Sequence, residues 1–173
     1  MNTMEAIKNR RSVRRYAEGK IAPEVLHEVI EAGLLAPSGH SKYPYDLYVV
    51  QDPELLVKLS QSRAAAKMLE HAAAAVVVCG RPENSDVWVE DCALVMGYMH
   101  LAAYSLGLGS CWVQLRLRTR VDGSDTVQYV RDVLSLPDDV SPEAVLSLGL
   151  PGQELHPHSE ERLRWGAVHE VER

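Results

Sequence analysis

Phenylalanine is missing from the sequence, and cysteine is scarce. Seven Tyr and three Trp carry the aromatic content. The three cysteines, Cys79, Cys92 and Cys111, are widely spaced and include no CxxC pair. That leaves neither a disulfide framework nor a metal-ligand spacing, and the default expectation is reduced thiols in a cytoplasmic protein. No apolar stretch opens "MNTMEAIKNRRS", so no signal peptide is expected. No P-loop, HExxH or Ser-His-Asp ordering is present, so hydrolase and kinase readings have no motif to rest on. An excess of positive charge is lacking too. A net charge of −6 argues against a dedicated nucleic-acid binder. One run, residues 92–113, carries no formal charge and is long enough to suggest a membrane span. It also holds His100, Tyr98, Tyr104, Ser105, Ser110 and the Gly107–Gly109 pair. A buried helix running into a strand is the better expectation, with no membrane partner.

At 173 residues and 46% hydrophobic content, one domain over 1–173 with a substantial core is expected. Residues 3–9 read as a short helix. Pro23 opens a second, with Val25, Leu26, Val29, Ile30, Gly33 and Leu34 on one stripe. "APSGHSKYP" (36–44) must be a loop, and "YDLYVV" (45–50) a strand, after which Asp52-Pro53 starts a helix. Residues 72–80 read as a buried strand and 86–106 as the longest helix, apolar nearly all round from Cys92 and so expected to be buried on every face. Strands over 110–117 and 143–150 flank a helix at 126–136, and a polar tail begins near residue 151. Such an order gives an α/β or α+β domain with a central sheet.

"NRRSVRRY" (9–16) places Arg10, Arg11, Arg14 and Arg15 within six positions of an acidic chain. Arg10 and Arg14, with Ser12 between them, have the spacing and donors to grip a phosphate monoester, since guanidinium forks make strong charge-assisted bonds to its oxygens. Arg11 and Arg15 then face elsewhere. The alternative is a solvated basic loop paired with surface acids; a nucleic-acid arm is disfavoured by the acidic chain and the lack of a stacking platform. In the 36–44 loop, Pro37, Ser38 and Gly39 let backbone groups approach a flat ligand, with Ser38, His40 and Ser41 adding polar contacts, although such loops are commonplace. "GLGSCWV" leaves free backbone groups near Ser110 and Cys111, or is simply a helix stop. Arg116, Arg118 and Arg120 share one face if their strand continues, where they could receive an anionic substrate or sit at a solvated strand end. His100 reads as a satisfied core histidine and Cys111 as an inert buried thiol.

Taken in order, "RRSVRRY", "APSGHSKYPY", "GLGSCWV", "GLP" (149–151) and "ERLRWGAVHEVER" resemble the nitroreductase family of FMN-dependent oxidoreductases, of the short single-domain kind. The resemblance implies an α+β fold, its central mixed or antiparallel sheet flanked by helices, with the long buried helix at a homodimer interface that holds FMN. It implies that Arg10, Ser12 and Arg14, with Arg11 beside them, bind the FMN phosphate and ribityl chain. Pro37, Ser38, Gly39 and the following Ser41 then belong to a loop meeting the flavin across the dimer. Ser110 and Cys111 lie against the isoalloxazine, and Arg162 is a tail residue reaching the phosphate region. The sequence departs from the family where Ser41, Tyr43 and Tyr45 replace the usual Asn, Gln and Trp, and where Glu160 and Glu161 stand in place of a frequent Lys.

The implied activity is hydride transfer from NADH or NADPH through flavin N5 to a nitroaromatic, quinone or related small-molecule acceptor, in two half-reactions. No side chain is assigned a catalytic role, and no metal. Rival readings are a reductive dehalogenase or an oxygen-using flavin enzyme on the same scaffold and, in a different class, a non-enzymatic flavin-binding protein.

Overall fold

The computed structural model describes residues 2–171. Helix α1 (Thr3–Asn9) starts at Asn2, whose side chain accepts the Glu5 N–H while the Glu5 carboxylate accepts the Asn2 N–H. That reciprocal cap satisfies donors a helix start would otherwise orphan. After it come strand β1 (Tyr16–Ala17), helix α2 (Pro23–Leu34), a 3-10 turn (Gly39–Ser41), strand β2 (Tyr45–Val50) and helix α3 (Pro53–Ser60). A 3-10 segment (Ala64–His71), strand β3 (Ala74–Gly80), helix α4 (Trp88–Ser105), strand β4 (Gly109–Gln114), helix α5 (Thr126–Leu134) and strand β5 (Ser141–Pro151) complete the body.

β5 is the hub of an antiparallel sheet. It pairs with β3, with β4 and, at its C-terminal end, with β1, while β2 pairs with β3. Each named pairing is antiparallel, which narrows the expected mixed-or-antiparallel sheet. Strand periodicity sends β3 side chains to two cores. Val76 and Val78 join Leu26, Val29, Val95, Met96 and Met99 from α2 and α4. Val77 and Cys79 join Leu56, Leu59, Leu69 and Val130 on the opposite face. α2 crosses α4 so closely that a Cβ on Gly33 would lie 2.7 Å from Met99 Cγ; only glycine permits that approach.

One expectation needs correction. The strand expected over 110–117 stops at Gln114, because the Leu115 and Arg116 amides both turn to the Glu143 carbonyl and Leu117 takes φ 58°. Within its own chain α4 is buried along one side and open along another. Cys92, Val95, Met96, Met99 and Ala103 are buried, whereas Leu94 and Tyr98 are 41% and 42% exposed. No helix among the described residues is long and apolar enough to cross a membrane.

Candidate functional site

α1 ends where Arg10 swings to extended backbone, φ −58° and ψ 131°. The chain then runs beside β4: Ser12 bridges Ser110 in parallel, and the Val13 N–H donates to the Ser110 carbonyl at 2.9 Å. Farther on, the Tyr16 hydroxyl donates to Ser147 Oγ at 2.6 Å, and Ser147 in turn donates to the Cys111 carbonyl at 3.2 Å. The arginine segment is thus laced to the sheet at both ends.

Its side chains diverge. Arg10 is half-buried and its Nη1 donates to His100 Nε2 at 2.9 Å. Arg11 donates to the His156 carbonyl at 2.6 Å and lines a cleft of about 300 Å³ with Asn9, Val13, Tyr104 and Leu155. Arg14 and Arg15 are exposed, Arg14 reaching only the Ser12 carbonyl, at 3.5 Å. Among the described residues, none of the four forms an ion pair with a carboxylate. Burial, then the neighbouring Arg11 charge, lowers the Arg10 pKa. A basic loop neutralised by surface acids would look different. This is concentrated positive charge with donors to spare, and it suits a phosphate monoester.

The loop after α2 is anchored by α4. Asp91, 2% exposed, accepts the Gly39 N–H at 2.8 Å through Oδ1 and the Ser38 hydroxyl at 3.1 Å through Oδ2. Ser38 Oγ accepts the Tyr43 N–H at 2.8 Å. Between these ties His40, Ser41 and Tyr43 adopt φ of 52°, 54° and 47°, a conformation unfavourable for residues bearing a Cβ. Pro37 and Ser41 stay exposed, and Ser38 and Gly39 half-buried.

Ser110 and Cys111 are buried in β4, and burial pushes the Cys111 thiol up, away from thiolate chemistry. Arg162 sits in a 3-10 turn (Glu160–Arg162), exposed, its side chain without a hydrogen bond to any described residue. Upstream of it the tail is tied to α1 by the His158 N–H on the Lys8 carbonyl at 3.1 Å. Arg116, Arg118 and Arg120 do not share a strand face: Arg116 lies 5.6 Å over the Trp88 ring and near Glu143, Arg118 donates to the Leu117 carbonyl, and Arg120 pairs with Asp122 at 2.9 Å.

Arg10, Ser12 and Ser110 are therefore brought together, but the loop of residues 37–41 is not. Its anchor Asp91 and the histidine beside Arg10 are nine residues apart on α4. At 1.5 Å and 100° per residue they are separated by roughly 13 Å along the axis and point to opposite sides. Asp91 and His100 are the two positions that sequence reasoning did not place in the site. The available signal was a buried polar side chain on an apolar helix, which must have partners.

A family model described as "Nitroreductase family" matches residues 7–88 and 61–150. A protein of Archaeoglobus fulgidus, provisionally named an NADH dehydrogenase/NAD(P)H nitroreductase, is 35% identical over 155 residues, covering 87% of this chain and 86% of that protein. A protein of the same provisional name from Methanothermobacter thermautotrophicus is 32% identical over 157 residues, covering 88% and 79%. The solved structure of an FMN-dependent nitroreductase from Clostridium difficile R20291 superposes with a TM-score of 0.94 at 34% identity, covering 98% of this chain and 99% of that one. The chain belongs to the nitroreductase family.

Proposed function

We propose that the protein is a homodimeric, FMN-dependent oxidoreductase that takes electrons from NADH or NADPH and delivers them to a nitroaromatic, quinone or related acceptor. The carrying observation is the arginine-rich segment, its backbone fixed against β4 at Ser12 and Val13 and its four guanidinium groups unneutralised by any described carboxylate. Arg10, Ser12 and Arg14 hold the FMN phosphate, with Arg11 beside them. FMN held by these residues would supply the redox chemistry between the nicotinamide and the acceptor. The protein positions the ligand, provides positive charge and excludes water; none of its side chains serves as an acid or base.

The loop of residues 37–41 reaches this site from a second copy, since within one chain it lies on the other side of α4. Two apolar surfaces support that assembly. One is the open stripe of α4 at Leu94 and Tyr98. The other is the tail beyond residue 151, where Leu163, Val168 and Trp165, the last 72% exposed, stand largely open within their own chain. Backbone at Ser110 and Cys111 borders the ring system, and Arg162 adds a cation from the tail.

The test is direct. Purified protein should be yellow, release FMN on heating, and oxidise NADH or NADPH in the presence of a quinone. Protein that takes up no FMN from excess would refute the reading. A monomer with full FMN occupancy in size-exclusion chromatography would refute the shared site.

A further inference from the structure

His100 is buried, 7% exposed, between Arg10 of the candidate phosphate site and Ser110 of β4. Its Nε2 lies 2.9 Å from Arg10 Nη1 and its Nδ1 2.5 Å from Ser110 Oγ. A guanidinium can only donate, so Nε2 must be the acceptor, and the ring proton of the neutral imidazole is placed on Nδ1. Ser110 Oγ then accepts that proton's bond, and its own hydroxyl hydrogen is left to donate elsewhere. A doubly protonated ring would set an N–H against the Arg10 N–H and bring two cations together.

What this arrangement achieves differs from an ordinary arginine anchor. A carboxylate would hold Arg10 equally well but would cancel its charge, and an anion-binding arginine is of little use once neutralised. A neutral imidazole fixes the guanidinium through one N–H and leaves four donors and the full positive charge for a ligand. Resting on the assignment of Arg10 to the FMN phosphate, we propose that His100 is a positioning residue: held in its tautomer by Ser110, it orients Arg10 for the phosphate end of the cofactor without neutralising the site.

The experiment compares FMN with riboflavin, which lacks the phosphate, by quenching of flavin fluorescence on titration into apoprotein. The variants are His100→Leu, His100→Gln and His100→Glu, each also combined with Arg10→Met. His100→Leu removes the acceptor, His100→Gln restores a neutral one, and His100→Glu restores an acceptor that carries negative charge. FMN affinity should fall about tenfold in His100→Leu and in His100→Glu and return to within about threefold of wild type in His100→Gln, the scale of one hydrogen bond to a charged group. Riboflavin affinity should stay level across the series, and His100→Leu should add nothing in the Arg10→Met background. If His100→Leu folds poorly, His100→Glu against His100→Gln carries the comparison alone. Equal losses for FMN and riboflavin would mean mere structural support and overturn the inference. Arg10→Met weakening FMN while the His100 variants do not would overturn it and leave the cofactor assignment standing. Unchanged FMN binding in Arg10→Met would overturn the assignment itself.

Discussion

Exchanging Asp91 for Asn alters one atom of a buried carboxylate and should loosen a whole loop. The carboxylate accepts the Gly39 N–H at 2.8 Å and the Ser38 hydroxyl at 3.1 Å, and it sits in the first turn of α4, where the helix dipole favours negative charge. Asparagine keeps the Gly39 bond through its carbonyl oxygen but turns an amide NH2 towards Ser38, so the Ser38 proton loses its acceptor. Ser38 is the second clamp, because its oxygen also holds the Tyr43 N–H. One charge-assisted bond of about 1.5–3 kcal/mol is removed and the other weakened. Water at half-exposed Ser38 recovers part of that loss. The net cost should be about 2 kcal/mol for Asp91→Asn and about 3–4 kcal/mol for Asp91→Ala. Urea unfolding at one fixed protein concentration, without added flavin, measures it; the Asn variant should melt about 4–8 °C lower. Hydrogen exchange locates the effect: the Gly39 amide should exchange faster, while Val76, Val77 and Val78 in the buried strand β3 should not. Unaltered Gly39 exchange with a stability change below about 0.5 kcal/mol would refute the idea that Asp91 holds the left-handed residues His40, Ser41 and Tyr43 in place.

Arg14→Ala should cost about 1.5–3 kcal/mol of FMN binding and leave folding stability unchanged, because the side chain is exposed and has no acidic partner among the described residues; titration of flavin fluorescence reads the first and thermal melting the second. Burial, reinforced by the Arg10 charge, pushes His100 down to about 4, against about 6.5 in an unfolded chain. Between those values only the unfolded state takes up the proton. The contribution is therefore complete above about pH 6.5, falls as pH drops through the window, and is gone below about 4, a total of roughly 3 kcal/mol. Urea midpoints of apoprotein from pH 7 to 4 should show that slope flattened in His100→Gln. Gly80→Ala would put a Cβ 2.0 Å from Trp88 Cε3, displacing the ring over which Arg116 lies; a loss of about 2–3 kcal/mol in urea unfolding is expected.

Much of the frame was legible because local chemistry agreed with the fold. The Pro23 start and apolar stripe of α2, the Asp52-Pro53 start of α3 and the valine run of β3 each appear within a residue or two of expectation. What escaped the reading was settled by contacts distant in sequence. β1 is two residues long and exists through pairing with Leu150 and Pro151. The 3-10 segment Ala64–His71 carries no glycine or proline to mark it. The end of β4 is set by Glu143, whose carbonyl draws two successive amides away from the ladder. Of the residues proposed for the site, the arginines and the 37–41 loop stood out by composition, whereas the side chains that anchor them lie 90 and 52 residues away, on a helix whose all-round apolarity concealed which side faced inward.

The distribution of charge explains how an acidic protein can keep the positive potential that the proposed phosphate site requires. Carboxylates are spent where arginines need a structural partner: Asp46 and Asp139 on Arg81, Asp122 on Arg120, Asp138 on Arg131, and Glu143 near Arg116. Around residues 10–15 the same task falls to neutral acceptors, namely the His100 ring for Arg10, the His156 carbonyl for Arg11 and the Ser12 carbonyl for Arg14. Backbone oxygens and a neutral imidazole hold guanidinium groups without removing their charge, so the local potential stays positive whatever the sign of the whole molecule. Net charge governs solubility and long-range approach; the identity of each arginine's partner governs what binds. A single carboxylate introduced beside this segment would change the overall charge by one and remove much of the reason for an anion to bind there.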